Sequence, residues 1–254
     1  MDEDGIRSCK EFLAETGSLQ VLNITNCKIS DASCALFLEA FEANSKNLRI
    51  KELYAGSNKI TETGMETLAK FFVGMASLEI VDLSKNTPKK DKKGLFHLLT
   101  GLLGNKSTIR QINIAENHGI NDAKTIELLQ KTIRECRILR SLNISTLGMT
   151  KKNCKLIIKT MVDQFQVSWN LNNELRELIW NDDLKCSPST TVKFLTKELP
   201  SIYNLKFKRI YMNGVLRSEA NRSKCIDALK NINIEPYLDI TDNKAKTEYK
   251  SDKE

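Results

Sequence analysis

Two adjacent polar residues, Asn26 and Cys27, close the stretch LQVLNITNCKI (19–29), and only one of them can turn inward. A carboxamide both donates and accepts hydrogen bonds, so an exposed Asn26 suits recognition of another polar group. A thiol suits an apolar interior or, as a thiolate, a nucleophile or metal ligand. The rest of the chain gives the thiolate roles no support. Its seven cysteines, Cys9, Cys27, Cys34, Cys136, Cys154, Cys186 and Cys225, are odd in number and scattered, without a C-x-x-C or a neighbouring histidine pair. They are expected to be reduced. The only histidines, His97 and His118, lie in no catalytic motif and read as scaffold. There is no phosphate-binding glycine loop, no dinucleotide glycine pattern and no convincing carboxylate pair. No metal, no cofactor and no self-contained enzyme active site are expected.

The remaining reactive-looking feature is the run TPKKDKK (87–93), with Lys89, Lys90, Lys92 and Lys93. Such a cluster can meet an acidic protein surface, serve as an import signal or touch phosphate; a solvated loop is the simpler reading. Nucleic acid is not an expected partner, because no aromatic residue is interleaved with the charge. Trp169 and Trp180 read as packing residues, and Asp182, Asp183 and Lys185 as loop chemistry.

These residues need elements to position them, and the opening stretch supplies the pattern. Leu19, Leu22, Ile24, Cys27 and Ile29 fit L-x-x-L-x-L-x-x-(N/C)-x-L, the strand segment of a leucine-rich repeat. The pattern returns in IKELYAGSNKI (50–60), LEIVDLSKN (78–86), IRQINIAENHGI (109–120) and LRSLNISTLGM (139–149), and more weakly in LRELIWNDDL (175–184) and FKRIYMNGVL (207–216). The second apolar position of each copy falls at Leu22, Leu53, Val81, Ile112, Leu142, Leu178 and Ile210, a period near thirty that leaves room for one helix per copy. Segments 31–44, 63–72, 91–103, 122–136 and 151–162 carry apolar residues at i, i+3 and i+4 and read as those helices.

The expected fold is therefore α/β: a leucine-rich repeat solenoid of about seven units, with a parallel inner sheet and outer helices. Residues 1–17 form an N-terminal helix or cap with Ile6, Cys9, Phe12 and Leu13 on one face, 18–238 the repeat domain, and 239–254 a polar, disordered tail. A 254-residue chain that is 41% hydrophobic can bury such a core. No window approaches eighteen uncharged apolar residues, and the N-terminus is acidic, so no membrane association or export is expected.

In this repeat the N/C side chain faces the core and ties down backbone left unpaired as the strand turns. Cys27, Asn58, Asn86 and Asn117 are thus assigned a structural ladder. The preceding residue, Asn26 in the first copy, falls on a loop rim shared with Ser57, Lys85, Glu116 and Thr146. Loops held on a rigid scaffold are common contact surfaces, though asparagine also simply favours turns.

The segment IKELYAGSNKITETGMETLAKFF, through Ala55, Gly56, Asn58, Ile60, Ala69 and Phe72, resembles the Ran GTPase-activating protein family, as does LNITNCKI before it. The resemblance runs over roughly residues 5–235, against the later two-thirds of a typical member. It implies a ribonuclease-inhibitor-like horseshoe that stimulates GTP hydrolysis by Ran without an arginine finger. In that scheme Asn26 helps position the GTPase's own glutamine, and Ser57, Lys59, Lys85, Lys89 and Lys90 lie in the partner contact. It further implies a monomer that is cytoplasmic, at the nuclear envelope or in the nucleus. The chain departs from the family in three ways. Ser57 and Lys59 replace arginines, the arginine of an earlier repeat would precede Met1, and the net charge is +7 where the family is acidic. The alternative expectation is a protein-binding scaffold of the same fold without activation.

Overall fold

A computed structural model describes residues 3–88, 91–167, 174–181, 186–202 and 205–238. Eight short strands, β1 (Val21–Asn23), β2 (Glu52–Tyr54), β3 (Ile80–Asp82), β4 (Gln111–Asn113), β5 (Ser141–Asn143), β6 (Glu177–Ile179), β7 (Arg209–Tyr211) and β8 (Glu235–Tyr237), form one all-parallel sheet in sequential order. The apolar residues that mark the repeat pair in register across it: Leu22, Leu53, Val81, Ile112, Leu142, Leu178 and Ile210. Sequential order and right-handed crossovers put the connecting segments on one face.

Helix α1 (Glu3–Glu15) precedes β1, and the connecting segments carry α2 (Asp31–Ala43), α3 (Glu62–Gly74), α4 (Gly94–Leu102), α5 (Ala123–Glu135), α6 (Lys151–Val167), α7 (Pro188–Lys193) and α8 (Glu219–Lys230). Their starts are set by side chains that accept orphan amides. Ser30 and Ser33 make a reciprocal capping box on α2, Asp122 caps α5 and Ser218 caps α8. Helix α3 is held by its neighbours instead: Asp31 accepts from the Thr61 N–H at 2.8 Å and Asp91 from the Glu62 N–H at 2.9 Å. The start of α3 thus depends on the units on both sides of it.

The sheet's inward row and the helices enclose one apolar core running the length of the array, from Leu13 to Leu238. Phe41 and Phe71 stack within it at 4.0 Å between ring centroids. Helices α3 and α4 approach so closely that a Cβ on Gly101 would lie 2.6 Å from the Ala69 Cα. Trp180 is fully buried, as expected of a packing residue.

Two expectations need correction. Strand β8 is an eighth strand where the apolar pattern marks seven; its Pro236 lacks an N–H and is tolerated because β8 is the sheet's edge. In α1, Leu13 is buried and Cys9 half-buried, but Phe12 is 57% exposed. Among the described residues this end helix packs chiefly on α2, so only a narrow stripe of it is covered. Trp169, Asp182, Asp183, Lys185 and the tail 239–254 lie outside the described residues. Among the described residues, no helix is long and apolar enough to cross a membrane.

Candidate functional site

The turns that follow β1–β5 and β7 each force a residue at the same place into the left-handed region. Asn26, Ser57, Lys85, Glu116 and Thr146 have φ between 54° and 56°, and Gly214 occupies the equivalent place at 72°. This conformation costs an L-residue roughly 1–2 kcal/mol, least for asparagine. Their backbones are pinned to the next unit. The N–H groups of Asn26, Ser57, Lys85, Glu116 and Thr146 donate to the carbonyls of Gly56, Ser84, Ala115, Ser145 and Asn181 at 2.8–3.0 Å. The five residues expected on one rim are therefore one structural row.

Behind the rim stand the ladder asparagines, all buried. Asn58 Nδ2 donates to the carbonyls of Ile24 and Ala55 (both 2.9 Å) and Gly56 (3.2 Å), while its Oδ1 accepts from Cys27 and Ile29 (2.9 and 3.0 Å). Asn86 Nδ2 serves Ala55, Leu83 and Ser84, and Asn117 Nδ2 serves Leu83, Ile114 and Ala115. Asn117 Oδ1 accepts from the Asn86 and Thr87 N–H groups at 3.0 and 2.8 Å. Every rung joins two units. Cys27 begins the row half-buried, its thiol donating to the Thr25 carbonyl at 3.5 Å, the same two-residue step back that each asparagine makes. Leu147, buried in the next equivalent place, ends the polar run.

The rim side chains differ sharply in availability. Asn26 is exposed, and among the described residues its carboxamide makes no hydrogen bond, so a held backbone presents an uncommitted amide to solvent. Lys85, also exposed, forms an ion pair with Glu116 at 3.1 Å along the rim. Ser57 is half-buried and Lys59 is exposed. Lys89 and Lys90 lie outside the described residues.

A third set of residues was not anticipated. Asn23, Asp82, Asn113 and Asn143, each three residues before a rim position, accept from the backbone N–H two residues on at 2.9–3.2 Å. These side-chain turns brace the strand ends. Their signal is the Asn or Asp that precedes Ile or Leu in NIT, DLS, NIA and NIS. The second unit has Tyr54 there and Gly56 two places on, and a Cβ on Gly56 would lie 2.9 Å from Ser84 Oγ.

Burial pushes the Cys34 and Cys136 thiols up to about 12 and Cys225 to about 11. A hydrogen bond to Glu235 raises Tyr237 to about 12, far along the sheet. Among the described residues no group of side chains is arranged to hold a metal ion. No protein-family model matches the chain, and no curated protein matches it.

Proposed function

We propose that the chain is a leucine-rich repeat solenoid of the ribonuclease-inhibitor-like type that activates a small GTPase of the Ran type. The finer fold reading is supported by a packing mismatch. Parallel strands sit about 4.8 Å apart whereas packed helices need 8–10 Å, so a one-strand, one-helix array curves with its sheet inside.

The functional reading rests on Asn26. Catalysis of GTP hydrolysis depends on positioning and electrostatics, and an amide held on a pinned, exposed backbone can hold a glutamine that orients water. Asn26 combines exposure, an uncommitted carboxamide and a tethered N–H. Ser57 and Lys59 extend the contact from the next unit. Acceleration of single-turnover GTP hydrolysis by Ran on adding the chain tests this, and no acceleration sinks it.

The ion pair of Lys85 with Glu116 favours a second reading, a protein-binding scaffold without activation, because it takes the charge of one expected contact residue. On that reading the chain binds a partner through the rim while hydrolysis rates stay at the partner's intrinsic value.

A further inference from the structure

The opposite end of the strands carries a row of charge that the rim does not use. One backbone ladder links the residues two places before the inward row. Arg110 N–H donates to the Glu79 carbonyl, Arg140 to Arg110, Arg176 to Arg140 and Lys208 to Arg176, all at 2.6–2.9 Å. Arg110, Arg140, Arg176 and Lys208 are thus consecutive rungs on four adjacent strands, about 4.8 Å apart. Like charges directly opposite on a sheet are destabilising. The first cation is relieved by Glu79 at 2.8 Å, and Arg176 meets Glu174 at 3.1 Å, an acid that also serves Lys206. Arg140 and Lys208 are exposed, and no described acid forms an ion pair with either side chain.

We infer that this basic row at the start of β4–β7 is a docking surface for an acidic segment of a protein partner, with Arg140 and Arg176 at its centre. Guanidinium forks bind carboxylates in pairs, and neutralising a repulsive row returns the electrostatic cost of building it. The row stands six residues, about 20 Å, from the rim, so it is independent of the GTPase reading. A nucleic-acid strand fits less well. The nearest aromatic pair, Tyr211 and Tyr237, is stacked face to face at 4.2 Å between centroids, closed to an inserted base.

The test is fluorescence anisotropy of a fluorescein-labelled octaglutamate peptide with the full chain at low and physiological salt. Binding that weakens with salt is expected, with an Arg140→Glu/Arg176→Glu variant losing about tenfold or more in affinity. A charge-matched Lys152→Glu/Lys155→Glu variant on α6 should lose less than about threefold. Thermal unfolding checks that each variant folds. If the double glutamate variant does not, Arg140→Gln/Arg176→Gln takes its place, with the same direction expected. No binding by the wild type, equal losses in the two variants, or tighter binding of a thymidine octanucleotide than of the peptide would each overturn the inference.

Discussion

Cys27 and Asn58 are joined by one hydrogen bond, from the Cys27 N–H to Asn58 Oδ1 at 2.9 Å, across thirty-one residues of sequence. The turn of the first unit is therefore held by a side chain of the second. The same relationship recurs from Asn86 to Asn117, so the array's cohesion passes through a few buried amides as well as through its apolar core.

Replacing Asn58 with Ala leaves the Ile24 carbonyl and the Cys27 and Ile29 N–H groups without their partner, while the Ala55 and Gly56 carbonyls keep Asn86 and Asn26. Stability should fall by about 3–5 kcal/mol in urea unfolding, given about 1 kcal/mol or more per buried group left unsatisfied. Cys27→Ala removes a half-buried thiol that donates weakly to the Thr25 carbonyl and should cost less than about 1.5 kcal/mol. Equal losses would contradict the ladder's assigned weight.

Thr146 is β-branched and held at φ 54°. Thr146→Gly should stabilise the protein by about 1 kcal/mol, since relief of left-handed strain outweighs the added freedom of the unfolded chain. A drop in Tm would argue against strain at the rim.

Gly101→Ala should destabilise by about 2–3 kcal/mol, because its Cβ would meet the backbone of Ala69 rather than a movable side chain. Gly74→Ala, where a Cβ meets nothing within 4 Å, is the control and should not destabilise.

Burial raises the Cys34 and Cys136 thiols from an ordinary 9.0 to about 12. Above pH 9 the unfolded chain loses these protons while the folded one keeps them, so their contribution is full below pH 9 and is lost as pH rises toward 12. Unfolding free energy should fall between pH 9 and 11, and less steeply in Cys34→Ala/Cys136→Ala. An unchanged slope would show that other groups set the alkaline limb.

The fold was legible because its period is carried by apolar residues at fixed spacing, and Leu22 through Ile210 pair as the pattern requires. Helix α2 matched its capping serine closely, whereas α7 runs into a π turn at Phe194–Glu198 that no local signal announces. Strand β8 was hidden because Glu235, Pro236 and Tyr237 present no apolar alternation, and an edge strand needs none. At the site, the rim and ladder followed from the repeat's numbering. The bracing role of Asn23, Asp82, Asn113 and Asn143 did not, since these positions fall between the apolar ones of the pattern and carry no signal of burial, though Asn113 and Asn143 are buried. Nor did the ion pair of Lys85 with Glu116, which depends on neighbouring units meeting in register.

The proposed action of the Asn26 amide on a partner's catalytic glutamine is probed most sharply by Asn26→Gly. Glycine keeps the left-handed turn and removes only the carboxamide, so folding is spared. In single-turnover GTP hydrolysis by Ran, the expected result is acceleration by the wild type and a loss of about a hundredfold in that acceleration with Asn26→Gly. Equal acceleration by both proteins, or none by the wild type, would contradict it.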